Sequence, residues 1–230
     1  MNGKYYQAFL DLISEKKKGL AILIDPDKFD VSKTVAFLRD IPKKTTHLFV
    51  GGSTVFNNET ETVVRAIKKC SQLPIFLFPG DFSQITSEAN ALLFLSLLSG
   101  RNAEYLIGQQ VKAIPNLRGV DLEVISTGYI LVDGGNDSAV ARVSETSPMP
   151  QVNIKAIIDT ALAGQYLGAK LIYLEAGSGA KVSVKSEIIK KVKAALNVPL
   201  IVGGGIRTEL QMEEVYAAGA DMIVMGTAFE

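Results

Sequence analysis

From Pro199 to Phe229 the chain reads PLIVGGGIRTELQMEEVYAAGADMIVMGTAF, and few folds accommodate that order of residues. An apolar strand, Pro199 to Val202, runs into Gly203, Gly204 and Gly205. A helix follows, opened by Thr208 with Gln211 three residues on, the spacing of a capping box. Gly219 punctuates the helix end, and a second strand, Met222 to Met225, leads to Gly226 and Thr227. Glycine at a strand end permits positive φ and brings main-chain N–H groups close to a ligand that a Cβ would hold off. In a (β/α)₈ barrel the loops after strands seven and eight bind phosphate in this way. Each glycine cluster alone also reads as a turn, but the two in this order point to a phosphate cradle.

The remainder of the chain repeats the alternation. Apolar strands are expected at Leu20–Ile24, His47–Val50, Ile75–Phe78, Ala91–Leu98, Val124–Val132 and Lys170–Leu174. Helices are expected over Lys4–Lys18, from about Ser32, and over Asn58–Cys70, Asn102–Ile114 and Ser186–Leu196, with another capped by Asn153. Phe82–Asn90 is too short and too weakly periodic for a crossover helix and reads as coil with one turn at most. A polar loop is expected from Asp133 to Pro150. Continuous apolar strands between amphipathic helices imply a parallel sheet covered by helices, and eight strands in 230 residues favour closure. The predicted fold is α/β, a (β/α)₈ TIM barrel filling residues 1–230, with the third helix replaced by coil and the last short or absent.

Composition narrows the function. Formal net charge is zero with the charges interspersed, which excludes a basic nucleic-acid-binding surface. No apolar run reaches the length of a membrane span, and the polar N-terminus lacks a signal-peptide core, so a soluble cytoplasmic protein is expected. The lone Cys70 rules out an intrachain disulfide framework and shares helical spacing with Val63 and Ile67, which places it in the core. The lone His47 precedes its strand, on the barrel face that serves stability, so a histidine-dependent triad is rejected.

Polar residues at strand C-termini point into one barrel mouth. Here they are Asp25, Asp27, Lys28, Ser53, Asp81, Asp133, Tyr173, Glu175 and Ser178. Asp25 and Ser53, at the first two strand ends, are placed to share a Mg²⁺ that also bridges substrate phosphates. Asp25-Pro26-Asp27 also reads as turn chemistry. Tyr173 and Glu175, two apart on a strand, face the same side. Glu175 beside a phosphate site can take a proton from a hydroxyl, or can cap the glycine loop that follows it. Gly177-Ser178-Gly179 adds exposed N–H groups for a second phosphate contact.

LIDPDK (Leu23–Lys28), VGGST (Val50–Thr54), FPGD (Phe78–Asp81), LLFLSLLSGRN (Leu92–Asn102), YLIG (Tyr105–Gly108), YLEAGSGA (Tyr173–Ala180), VGGGIRT (Val202–Thr208) and GTAFE (Gly226–Glu230) recur in order along nearly the whole chain. This ordered set resembles the geranylgeranylglyceryl phosphate synthase family, which includes bacterial heptaprenylglyceryl phosphate synthases. The resemblance implies a (β/α)₈ prenyltransferase joining a polyprenyl diphosphate, most simply geranylgeranyl diphosphate, to sn-glycerol 1-phosphate with Mg²⁺ and releasing diphosphate. It also implies a homo-oligomer, and a coil in place of the third helix with the prenyl chain alongside.

By the same resemblance, Asp25 and Ser53 bind Mg²⁺ and through it the diphosphate. Tyr173, Leu174, Glu175, Ala176, Gly177, Ser178 and Gly179, with Gly203, Gly204, Gly205, Gly226 and Thr227, hold glycerol 1-phosphate. Glu175 is the base, helped by Tyr173. Thr227 replaces the asparagine more usual in the family, and Ser126–Tyr129 lacks a proline common in archaeal members, which suggests a bacterial member of the second subgroup. Phe94, Tyr105 and Tyr129 are candidates for the floor of the prenyl groove. The alternatives are a sugar-phosphate isomerase or thiamin-phosphate-type synthase, with Asp25 and Asp133 as a paired acid and base, or a non-catalytic phosphate-binding barrel.

Overall fold

Eight parallel strands pair in sequence order and close, β1 against β8, into a barrel. The computed structural model describes residues 3–52 and 59–226. The strands are β1 (Gly19–Ile24), β2 (His47–Val50), β3 (Ile75–Leu77), β4 (Ala91–Leu97), β5 (Glu123–Leu131), β6 (Leu171–Glu175), β7 (Leu200–Gly203) and β8 (Met222–Met225). The helices are α1 (Lys4–Ser14), α2 (Thr34–Asp40), α3 (Glu59–Cys70), α4 (Gln109–Leu117), α5 (Ala139–Ser144), α6 (Ile154–Tyr166), α7 (Ser186–Ala195) and α8 (Glu209–Ala217). The barrel read from the sequence is therefore present. Residues beyond Gly226, and with them the expected short or absent last helix, lie outside the described residues.

The strands alternate between two cores, as a period of two requires. Ala21, Phe49, Phe76, Leu93, Ile125, Tyr173, Ile201 and Val224 fill the barrel interior. Ile22, Leu48, Leu92, Ile130, Leu174, Val202 and Ile223 pack outward against the helices. Burial on both faces explains why the strands read as unbroken apolar runs.

Helix α1 closes the bottom of the barrel, because its Tyr6 and Phe9 join the interior core. The Glu123 carboxylate, at the foot of β5, accepts the N–H groups of Tyr5 and Tyr6 at 2.7 and 2.9 Å. An anion at a helix N-terminus satisfies otherwise unpaired donors and complements the helix dipole. His47 sits edge-on to Phe9 and Phe76, with ring centroids 6.0 and 5.0 Å away. Burial pushes its pKa down to about 4, so it is neutral and structural.

Between β3 and β4 the chain forms only a 3₁₀ turn, Phe82–Gln84, where a crossover helix would usually lie. The buried Gln84 secures this coil. Its Nε2 donates to the Gly52 carbonyl at 2.8 Å, and its Oε1 accepts the N–H groups of Gly52 and Gly80, each at 3.2 Å.

Three expectations differ from the structure. The segment after Asn102 opens with a π-helical turn, Glu104–Gly108, before α4 begins. The supposed loop to Pro150 contains α5, capped by the Ser138 hydroxyl accepting from the Ala141 N–H at 3.2 Å. Cys70 is exposed rather than buried. It is the last residue of α3, and helical spacing specifies a face without showing how far the neighbouring layer reaches beneath it.

Candidate active site

The C-terminal ends of the strands enclose a cavity of about 410 Å³. Asp25, Asp27, Lys28, Asp81, Tyr173, Glu175 and Ser178 all line it, together with Gly177, Gly179, Gly204, Gly205 and Gly226. Asp133 is not among the lining residues. Its Oδ1 accepts the Gly135 N–H at 2.8 Å, so the carboxylate stabilises its own turn and no acid–base pair with Asp25 spans the mouth. Ser53 and Thr227 lie outside the described residues.

Two residues of β6 bring ionisable groups to the cavity. Tyr173 is fully buried and Glu175 is 7% exposed, although both line the cavity. They project toward the position on β7 where Gly203 leaves room. A Cβ at Gly203 would fall closer to the Tyr173 hydroxyl and the Glu175 Oε2 than real Cβ contacts allow. Gly204, with φ of 81°, then turns the chain so closely past the Glu175 carboxyl that a side chain would be excluded there too. The Gly177 N–H donates to Glu175 Oε1 at 2.6 Å. Glu175 therefore caps the glycine loop and still presents its carboxyl to the cavity.

Burial raises the Glu175 pKa, and the neighbouring Tyr173 hydroxyl and Gly177 N–H partly offset that rise. The Tyr173 hydroxyl is buried with no hydrogen-bond partner of good geometry, so what it supplies to the carboxyl is proximity rather than a formed bond. Burial, followed by the Glu175 charge, pushes the phenols of Tyr173 and Tyr129 well above their ordinary range, and both stay protonated. Tyr173, Tyr129 and Phe78 form an aromatic cluster beneath the carboxyl. The ring centroids of Tyr129 and Tyr173 are 5.3 Å apart, and Phe78 meets Tyr173 edge-on, also at 5.3 Å. Tyr129 belongs to the barrel interior and, like Phe94 and Tyr105, also lines the cavity.

Leu174 and Ala176, expected among the substrate-binding residues, direct their side chains into the outer core. The Ala176 N–H already donates to the Gly203 carbonyl at 3.0 Å. Neither side chain reaches the mouth.

Away from the carboxyls the cavity is mostly apolar, with Gln109, Gln110 and Ser144 as its polar lining. It touches both faces of β4, through Leu93 and Leu95 on one side and Leu92 and Phe94 on the other. It passes beneath the coil at Phe82 and Ile85 and meets Tyr105 of the π-helical turn and Val140 of α5. Sequence spacing does not reveal Val140, because α5 has only six residues, too few to show a period. The usable signal was Ser138 followed by Ala139-Val140-Ala141, a cap before helix formers.

The Asp25 carboxylate supplies hard oxygen at the rim. Its Oδ1 accepts the Asp27 N–H at 3.2 Å, and its Oδ2 lies 3.4 Å from Lys28 Nζ. Among the described residues no three histidine, cysteine, aspartate or glutamate side chains gather into a metal cage. A single carboxylate fits Mg²⁺, which keeps waters and binds through one or two carboxylates plus substrate phosphates.

Comparison with known proteins agrees with this fold. Residues 11–230 match the PcrB family. The chain is 53% identical to the geranylgeranylglyceryl phosphate synthase of Zunongwangia profunda, over 99% of this chain and 97% of that one. It is 50% identical to the same-named protein of Flavobacterium johnsoniae, over 98% and 93%. Its structure is similar to that of (S)-3-O-geranylgeranylglyceryl phosphate synthase from Thermoplasma acidophilum in complex with sn-glycerol-1-phosphate. That likeness has a TM-score of 0.90 and 34% identity, and covers all of this chain and 92% of that one. With its barrel, glycine-lined mouth and β6 Tyr-Leu-Glu in place, the chain belongs to the PcrB family of geranylgeranylglyceryl phosphate synthases.

Proposed function

We propose that the protein joins a polyprenyl diphosphate, best suited as geranylgeranyl diphosphate, to the C3 hydroxyl of sn-glycerol 1-phosphate. The observation that carries this reading is the position of Glu175, a buried carboxyl between a glycine-lined polar mouth and an apolar groove. The names and the glycerol phosphate complex of its relatives support the same substrates.

In this reading the glycine main chain of the β6 and β7 loops holds the phosphate of the acceptor, with Gly226 and Thr227 adding to it. The apolar groove under the third-helix coil holds the prenyl chain and sets its first carbon toward Glu175. The bond from that carbon to the diphosphate oxygen breaks, and its electron pair leaves with the diphosphate. The acceptor oxygen bonds to the same carbon, forming the ether, and its proton passes to the Glu175 carboxylate. Tyr173, protonated and adjacent, assists that carboxylate. Asp25, with Ser53, would hold Mg²⁺. When bound, the ion neutralises charge on the diphosphate and so makes it a better leaving group. Positioning and water exclusion supply the rest of the rate, because an allylic carbon ionises readily once its leaving group is stabilised.

Among the described residues no helix is long and apolar enough to cross a membrane. A cytoplasmic homo-oligomer is part of the proposal, supported by Ile107, Val111 and Ile114, which are exposed on one helical side. Incubation with glycerol 1-phosphate, Mg²⁺ and labelled geranylgeranyl diphosphate tests the activity. An ether-linked product with stoichiometric diphosphate is expected. Acceptor binding without product would instead mean a non-catalytic barrel.

A further inference from the structure

The acceptor's phosphate is a dianion, while the glycine cradle that faces it offers only neutral N–H groups, with Glu175 and Asp25 adding negative charge nearby. Two side-chain cations line the cavity among the described residues, Lys28 and Arg207. Lys28 lies on the β1 side, 3.4 Å from Asp25. Arg207 lies on the other side, two residues after the glycine triplet of β7.

Arg207 is held from two directions. Its main-chain N–H donates to Gln211 Oε1 at 2.8 Å, within the capping box that opens α8. Its Nη2 donates to the Ala180 carbonyl at 2.8 Å, across the gap to the β6 glycine loop. A guanidinium carries five N–H donors in a fixed fork, and this contact uses one of them. Among the described residues Arg207 has no carboxylate partner.

We infer that Arg207 is the cation of the acceptor-phosphate subsite, binding the phosphate dianion while tying the β6 and β7 glycine loops together. The inference rests on the function proposed above and extends it to specificity. The charge selects glycerol phosphate over glycerol, a distinction that neutral N–H groups make weakly. Charge-assisted hydrogen bonds are roughly twice as strong as neutral ones, and a planar fork meets two phosphate oxygens at once.

Two substitutions separate the charge from the loop tie. Arg207→Gln keeps a donor for the Ala180 carbonyl and removes the charge, whereas Arg207→Lys keeps the charge and loses the fork. Glycerol 1-phosphate binding by calorimetry and KM for each substrate are the readouts. Arg207→Gln should weaken glycerol 1-phosphate at least about tenfold and leave the prenyl diphosphate KM within about twofold, with Arg207→Lys between it and the wild type. Inorganic phosphate should follow the same order as a competitor. Wild-type affinity should also rise as the phosphate loses its second proton near about pH 6, and that rise should flatten in Arg207→Gln.

A folded Arg207→Gln that binds glycerol 1-phosphate like the wild type overturns the inference. So does a variant whose two KM values rise together as its melting temperature falls, which would make Arg207 a loop staple only. Wild-type binding without turnover would contradict the proposed reaction, yet the binding comparison would still judge Arg207. No wild-type binding of glycerol 1-phosphate would overturn both.

Discussion

The Tyr173 hydroxyl and the Glu175 carboxyl converge on the one place along β7 where a side chain is missing, Gly203. The two residues are adjacent on the same face of β6, and the register sets Glu175 directly beside Gly203. The glycine at the end of β7 therefore does two things. It leads into Gly204 and Gly205, which line the cavity, and it clears the volume that the Tyr173 hydroxyl and the Glu175 carboxyl occupy.

Gly203→Ala tests that relationship. The added methyl would press on a fully buried tyrosine and a nearly buried glutamate, neither of which has space to withdraw. Overpacking of this kind costs about 1–3 kcal/mol of stability. A displacement of the pair by about 1 Å should lower turnover by about a hundredfold. Thermal melts and steady-state rates, measured on the same preparation, check both.

The acid limb of turnover should reflect the buried carboxyl. As the proposed base, Glu175 would act only when deprotonated, and burial raises its pKa. Activity should therefore fall, on lowering pH, at a higher pH than an exposed glutamate would give. The sign for stability is opposite to that of an ion-paired carboxylate. A raised folded-state pKa means that this group favours the folded state most at low pH and loses that contribution as pH rises through its titration. A kcat–pH profile at saturating substrates, compared with the pH dependence of melting in Glu175→Gln, separates the two effects.

The apolar groove predicts a change in donor preference. Tyr105 is half-buried, lines the cavity and is carried on the π-helical turn, whereas Tyr129 is held within the aromatic cluster. Tyr105→Ala should extend the groove and shift kcat/KM toward longer prenyl diphosphates. Tyr129→Ala should chiefly destabilise the protein, by about 3–5 kcal/mol as for other buried aromatics. Competition between donors of different length, alongside denaturation curves, distinguishes these outcomes.

What the sequence disclosed follows from how local each cause is. β2 and β8 were read to the residue because strands buried on both faces are unbroken apolar runs ended by glycine or charge. The Thr208–Gln211 capping box was legible because both partners lie within four residues, and both of its hydrogen bonds form, at 3.2 and 3.1 Å. The π-helical turn was not, because hydrophobic spacing near 3.6 does not tell one extra residue in a turn from none. Asp133 was misplaced into the mouth because a strand-end aspartate can equally bond to its own turn. Cys70 was misplaced because depth along a helix axis depends on tertiary packing. Asp25, Tyr173 and Glu175 reach one cavity through barrel closure, which the alternation of elements implied, but the burial of Glu175 depends on Gly203 and Gly204 from another strand.

Glu175→Gln decides the central claim. The amide keeps the size of the side chain and an oxygen for the Gly177 N–H, but it cannot take a proton from the acceptor. Glycerol 1-phosphate binding by calorimetry and acceptor-dependent diphosphate release should be measured on one folded preparation. The account predicts binding within a few-fold of wild type and turnover lowered by about 10²–10⁴-fold, the range for loss of a general base. Near-normal turnover with intact binding would contradict it, and another group would have to accept the proton.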